Sequence, residues 1–123
     1  KEHKMTPVER AWVELERLIK RNLPQAGKFK DFYVELTLVV RRYIQRKHGL
    51  KAPHLTTEEF FAEVEKVPSF PKNAIPGLME FLNAADMIKF AGVKATLELA
   101  DEAAESARVY IVSDESLTKG GGK

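Results

Sequence analysis

Hydrophobic residues recur every three or four positions along most of this chain, the spacing that places them on one face of an α-helix. The longest such series occupies positions 29, 32, 33, 36, 39, 40, 43 and 44. Gly49 follows, and glycine is the residue that most easily takes the left-handed conformation that ends a helix. The series therefore predicts a long amphipathic helix over residues 28–48.

Helix starts are marked twice by a capping box, in which a Thr and a Glu three residues apart bond each other's backbone N–H groups. Thr6 and Glu9 form the first box, and Thr56 and Glu59 form the second. The first helix is expected to run from the first box to the residue before Pro24, because a residue that precedes proline avoids helical geometry. The third helix is expected to start at the second box.

Prolines and polar residues delimit the remaining helices. Pro68 ends the third helix, because proline cannot continue one, and it makes residues 68–72 a connector. A fourth helix is predicted over residues 74–91 from its broad apolar face. A fifth is predicted to begin near Thr96 and to fade after Val112.

Together these segments predict an all-α fold, a compact bundle of about five helices in a single domain over residues 1–117. Residues 118–123 contain three consecutive glycines and are predicted to be a disordered tail or a remnant of the expression vector. The expected core consists of apolar positions from the five helical stripes. They are Trp12, Leu15, Phe32, Leu36, Val40, Phe60, Leu78, Leu82 and Ile111.

Composition narrows the class of protein without indicating an activity. The chain has 123 residues, a net charge of +2 and no cysteine, so disulfide and thiol chemistry are excluded. The small net charge gives no indication of a nucleic-acid partner. No apolar run reaches the roughly 18–20 residues that cross a membrane, and the first ten residues lack the apolar segment of a signal peptide.

Charge is distributed unevenly along the chain. Arg41, Arg42, Arg46 and Lys47 lie close together at the end of the second helix, whereas the fifth helix is acidic. One interpretation is that these four basic residues form a contact surface for a partner. The other is that both charged faces are only solvated and partly neutralise each other. We predict the four basic residues as the interaction surface, with the solvated faces as the alternative.

A polar tie between the second and fourth helices is a further hypothesis. Adjacent helical residues point about 100° apart, so one of Arg41 and Arg42 can reach along the edge of the core. A half-buried arginine usually has a carboxylate partner, and Asp86 lies within the apolar register of the fourth helix. We predict a tie that joins Arg42, Asp86 and Lys89, with an Asp86 that simply faces water as the alternative.

No catalytic residue, metal ligand or cofactor-binding residue is predicted. His48 and His54 are six residues apart, a spacing that matches no common zinc pattern. Most carboxylates fall on predicted helix exteriors or in first turns, where they complement the helix dipole. The chain also lacks the short motifs of serine hydrolases, zinc proteases, P-loop proteins and Rossmann proteins.

Five pieces of sequence, in a fixed order, carry a resemblance to a known family. They are WVELERL at 12–18, DFYVEL at 31–36, VRRYI at 40–44, LTTEEF at 55–60 and ADMIKFA at 85–91. Over about residues 6–111, the chain resembles the cytoplasmic helical domain of bacterial membrane-anchored proteins of unknown function. Their genes lie beside those of MoxR-type ATPases and von Willebrand factor A proteins, in clusters of the Bat aerotolerance type.

The resemblance implies a membrane helix before this domain in the intact protein and a position on the cytoplasmic face of the bacterial inner membrane. It implies no catalytic residue. We therefore expect a non-enzymatic protein-interaction module whose partner is a MoxR-type ATPase or a von Willebrand factor A protein. The alternative is a helical nucleic-acid-binding domain that uses the basic end of the second helix. A hydrolase would need a concave polar site that the sequence does not indicate.

Overall fold

The computed structural model describes residues 4–50, 55–90 and 94–121, with side chains up to residue 116. Within these ranges the chain forms five α-helices and no strand, which confirms the predicted all-α bundle. The helices are α1 (Pro7–Lys20), α2 (Phe29–His48), α3 (Thr57–Val64), α4 (Ile75–Phe90) and α5 (Leu97–Gly121).

Three of the predicted helix ends are formed by the residues that signalled them. The Thr6 hydroxyl accepts from the Glu9 N–H at 3.2 Å, and the Glu9 carboxylate accepts from the Thr6 N–H at 2.9 Å. Thr56 and Glu59 make the same two bonds at 3.1 and 3.0 Å. Gly49 ends α2 with a φ of 78°, in the left-handed region. N-terminal caps such as Thr6 and Thr56 each stabilise a helix by about 1 kcal/mol.

Three helix ends differ from the prediction, and one of them is the end of α3, which comes at Val64 rather than at Pro68. α1 ends at Lys20 rather than just before Pro24, because Asn22 takes a left-handed conformation with a φ of 53° and begins a turn. α5 continues to Gly121 instead of fading after Val112. Its additional turns place Asp114 in the interior, so packing against α2 extends the helix beyond its local preference. Residues 118–121 of the predicted tail are therefore helical, while residues 122–123 lie outside the described ranges.

α2 is the central helix, and it packs against α1, α4 and α5. α3 lies against α4, and a 3-10 turn at Lys72–Ala74 leads from the connector into α4. The predicted fourth helix extends one residue further, to position 91, which lies outside the described residues. All but one of the nine predicted core residues are buried. The exception is Trp12, which is half-buried and packs against the core from α1.

Candidate interaction site

The first of the four predicted surface residues, Arg41, lies inside the protein rather than on its surface. It is only 6% exposed. Its guanidinium donates to the Leu55 carbonyl oxygen and, at 3.0 Å, to the Thr57 hydroxyl, and it lies 5.3 Å from the centre of the Phe60 ring. Burial lowers the pKa of Arg41, and the charge of Asp86 opposes that shift. Arg41 therefore joins α2 to the start of α3.

The other three basic residues are half-exposed and lie in ion pairs within the chain. Arg42 and Arg46 approach the carboxylate of Glu14 on α1 at 3.9 and 3.1 Å. Lys47 contacts the carboxylate of Glu115 on α5 at 3.0 Å. These pairs reduce the charge that the end of α2 presents to solvent. Recognition of a partner by these residues stays a prediction.

The predicted tie between α2 and α4 exists, but it uses a different arginine. Arg42 pairs with Glu14 on α1, so its predicted contact with Asp86 is wrong. Arg41, one position earlier, reaches the Thr57 hydroxyl, which in turn donates to Asp86 at 2.7 Å. The 100° between adjacent residues decides which arginine turns inward.

Lys89 completes this tie from within α4. Its ammonium lies 3.4 Å from the Asp86 carboxylate, as expected for residues three apart on a helix. It also lies 3.5 Å from the Thr37 hydroxyl of α2. Thr57 was not among the predicted residues of the tie, although the sequence contains a signal for it. Because Thr56 serves as the cap, the hydroxyl of the next threonine is left to bond elsewhere.

A second polar cluster, also missed, joins the ends of α2 and α5. The Tyr43 hydroxyl donates to Asp114 at 2.6 Å, and His48 Nε2 lies 3.1 Å from both oxygens of the same carboxylate. The His48 ring lies against the Phe70 ring, with the ring centres 4.7 Å apart and the ring planes tilted by 53°. Burial, followed by the bond to Asp114, raises the pKa of Tyr43 above its ordinary value.

The burial of this cluster favours a structural role. Tyr43 and Asp114 are 0% exposed, and the His48 side chain is 3% exposed, so a substrate cannot reach them in this conformation. The sequence signal for Asp114 was its spacing from Ala107 and Ile111. These three residues lie on one helical stripe on the buried side of α5.

A groove lies between α4 and α5 on the described surface. Two cavities of about 390 and 500 Å³ adjoin along it and share Gly77, Glu80 and Ser106. The groove exists because Gly77 and Ala84 on α4 and Ala103 and Ser106 on α5 carry side chains too small to fill the space. We call this feature the α4–α5 groove. Its other lining residues are Tyr33, Asn73, Ala74, Phe81, Ala85, Ile88, Leu99, Glu102, Glu105, Val109, Tyr110 and Ser113.

The α4–α5 groove carries negative charge on both walls. Glu80 stands on α4, and Glu102 and Glu105 stand on α5. Among the described lining residues there is no cationic side chain. Glu105 does have a partner outside the lining, since Arg108 lies 3.4 Å away, but both side chains are at least 60% exposed and such pairs contribute little.

Tyr110 forms part of one wall of the groove and holds a polar atom that lacks a partner. It is 8% exposed, and its hydroxyl is buried without a hydrogen bond to any described residue. Burial raises the pKa of this hydroxyl, and the charge of Asp114 adds to the shift. An unsatisfied buried hydroxyl costs about 1–3 kcal/mol. This wall of the groove therefore contains a polar group whose hydrogen bond is not made.

α4 is also less covered than its composition would lead one to expect. Its sixteen residues include only three charged ones, and a helix that is apolar on nearly all sides is normally buried. Yet Met79, Met87 and Phe90 are 38%, 50% and 79% exposed. The helix therefore presents apolar surface to solvent in addition to the groove.

Comparisons with protein-family models, curated proteins and solved structures find no match to this chain. The resemblance to the membrane-anchored family thus stays a prediction that rests on sequence motifs. Within the described ranges, no group of three or more acidic or histidine side chains is placed to hold a metal ion. None of the helices in the described part is both long enough and apolar enough to cross a membrane.

Proposed function

We propose that this chain is a non-enzymatic protein-interaction module and that the α4–α5 groove is its docking site. The observation that carries the proposal is the groove itself. Small side chains on two adjacent helices leave an open, largely apolar channel, and an incompletely covered α4 forms one of its walls. Exposed apolar surface of this kind typically marks a place where another molecule binds.

The polar groups of the groove suit binding better than catalysis. Its carboxylates stand on exposed parts of the helices, where water solvates them. Acid and base groups of enzymes usually lie where burial and a neighbouring charge tune them. The one histidine–carboxylate contact in the described part, between His48 and Asp114, is closed to solvent and lies at the α2–α5 contact.

The partner and the location follow from the family resemblance. On that basis the module belongs to a membrane-anchored bacterial protein and acts on the cytoplasmic face of the inner membrane. Its partner is then a MoxR-type ATPase or a von Willebrand factor A protein. The apolar lining of the α4–α5 groove supports a protein partner of either kind, because it would be covered in a complex.

The alternative, nucleic-acid binding through the basic end of α2, is less well supported. Arg42 and Arg46 share the carboxylate of Glu14, and Lys47 is paired with Glu115. A phosphate backbone would have to compete with these carboxylates. Gel retardation at rising salt tests this alternative, because phosphate contacts lose affinity steeply as salt increases.

The proposal is tested by measuring the affinity of the purified chain for a purified MoxR-type ATPase and a von Willebrand factor A protein from the same gene cluster. Ala84→Trp blocks the groove, and we expect it to weaken the affinity at least tenfold. Ala62→Trp is the matched control, since Ala62 is an exposed helical alanine on α3 and does not line the groove. It should leave the affinity unchanged.

The same experiment separates the groove from the predicted basic surface. If the double variant Arg42→Glu and Arg46→Glu abolishes binding while Ala84→Trp does not, the docking site lies at the end of α2. If the unmodified chain binds neither partner, the proposed function with these partners is wrong.

A further inference from the structure

We infer that the α4–α5 groove receives an amphipathic helix that carries lysine or arginine on both flanks of a narrow apolar stripe. This inference rests on the proposed function and specifies the chemistry of the partner segment. It follows from the shape of the groove, the kind of backbone that forms its walls, and the position of its carboxylates.

The shape of the groove fits a helix laid along α4 and α5. Its lining brings the start of α5, at Leu99, together with the end of α4, at Ile88, and it brings Val109 together with Ala74. The two helices therefore run antiparallel along the channel. From Ala74 to Ile88 the channel is about 21 Å long, which corresponds to about four turns of a bound helix.

The backbone of the walls also selects a helix over an extended peptide. Both walls are α-helices, whose backbone N–H and C=O groups are bonded internally, so the groove offers no free strand edge. An extended segment pressed against these walls would leave its own backbone groups without partners, which is costly when water is excluded. A helix satisfies those groups itself and can pack its side-chain ridges into the groove.

The width of the occupant's apolar stripe is limited by the depth of the channel. Gly77 and Ala84 on one wall and Ala103 and Ser106 on the other let a third helix approach closely. Alanine and leucine side chains suit this space, since larger aromatic side chains would hold the helix away from the floor.

The charge of the occupant follows from the two acidic walls. Glu80 projects from α4, and Glu102 and Glu105 project from α5, so a helix between the walls has carboxylates on both sides. Glu80 and Glu102 make no ion pair with any described residue. Cationic side chains on both flanks of the bound helix would match this arrangement, whereas acidic ones would be repelled.

The inference is tested with two synthetic peptides of about 18 residues that share one Ala/Leu stripe. One peptide has lysine at every flanking position, and the other has glutamate there. We expect the lysine peptide to bind the full chain at least tenfold more tightly at low salt, with the ratio falling as salt screens the rim charges. Ala84→Trp should abolish the binding of the lysine peptide.

A charge-matched pair of variants shows whether the groove carboxylates are responsible. The triple variant Glu80→Gln, Glu102→Gln and Glu105→Gln should remove most of the preference for the lysine peptide. The control triple, Glu16→Gln, Glu58→Gln and Glu65→Gln, changes the net charge equally at exposed positions outside the groove. It should retain the preference.

The outcomes distinguish this inference from the proposed function. If both peptides bind equally and Ala84→Trp blocks both, the groove is a docking site but the cationic occupant is wrong. If neither peptide binds while the purified protein partner does, the inference fails and the proposed function stands. If the chain forms concentration-dependent dimers that Ala84→Trp abolishes, the occupant is a second copy, which also overturns the inference.

Discussion

The two faces of α5 differ in how completely they are packed. The face toward α2 buries Ile111 and Asp114 fully, and the Asp114 carboxylate is bonded to Tyr43 and His48. The face toward α4 leaves an open groove, and the Tyr110 hydroxyl beside it has no partner in the described part. The contact of α5 with α2 is thus fully packed, whereas its contact with α4 leaves space unfilled. The α2–α5 contact stabilises the bundle, and the α4–α5 groove is where we propose that a partner binds.

The largest predicted effect comes from removing the Asp114 carboxylate at the centre of the α2–α5 contact. Asp114→Ala leaves Tyr43 and His48 without a shared acceptor and opens a cavity. We expect it to lower the free energy of unfolding by about 3–5 kcal/mol, as measured by urea denaturation. Asp101→Ala, an exposed change on the same helix, should leave the denaturation midpoint nearly unchanged. Equal losses for the two variants would contradict the distinction.

Two alanines one turn apart on α5 should respond differently to enlargement. Ala107 is 0% exposed, so Ala107→Leu overpacks a filled site and should cost about 1–3 kcal/mol. Ala103 lines the groove, and Ala103→Leu places its extra atoms in open space. It should change stability by less than about 0.5 kcal/mol. A large loss for Ala103→Leu would show that the groove is a closed contact in solution.

A matched pair of tyrosine variants tests the same difference between the α2–α5 contact and the α4–α5 groove. Each variant removes one hydroxyl oxygen. Tyr43→Phe removes a donor from the buried Asp114 carboxylate and should cost about 1–3 kcal/mol. Tyr110→Phe removes a hydroxyl that has no partner among the described residues. We expect it to be neutral or slightly stabilising, and thermal melts of the two variants give the comparison. A clear loss for Tyr110→Phe would reveal a partner for that hydroxyl.

The buried tyrosines also predict the direction of an alkaline transition. Burial raises the folded-state pKa of Tyr43 above its ordinary value of 10.0, so the folded state keeps a proton that the unfolded state releases. Stability from this group is complete below about pH 10 and is lost as the pH rises further. Tyr43→Phe should flatten that decline by up to about 1.4 kcal/mol per pH unit. Identical slopes with and without the Tyr43 hydroxyl would contradict the assignment.

A small effect is also predicted at the basic end of α2. The Arg46 side chain is 33% exposed where it pairs with Glu14, so water screens the attraction. Arg46→Ala should therefore change stability by less than about 1 kcal/mol. A loss as large as that of Asp114→Ala would mean that this ion pair, rather than the buried cluster, anchors α2.

The fold could be predicted from the sequence because its signals are local. The capping boxes at Thr6 and Thr56 and the glycine at position 49 act within a few residues, and each forms as expected. The end of α5 could not be predicted in this way. Residues 109–112 favour a strand by local preference, and only burial of positions 111 and 114 against α2 explains why the helix continues.

The candidate site could not be predicted from the sequence, for a different reason. A groove is defined by what two packed helices leave unfilled, and small residues such as Ala84 and Ser106 give no periodic signal of an empty space. The polar tie between α2 and α4 depends on which of two adjacent arginines of α2 points inward. The choice between Arg41 and Arg42, and the role of Thr57, became clear only once α2, α3 and α4 were placed together.

The most direct test of the proposed docking site is to map the partner's footprint by NMR. The isotopically labelled chain is titrated with each proposed partner, the purified MoxR-type ATPase and the purified von Willebrand factor A protein. We predict that the amide signals of Gly77, Ala84 and Ser106 shift or broaden first, while those around Arg42 and Arg46 stay unchanged. A footprint confined to the end of α2, with the groove signals unmoved, would contradict the proposal.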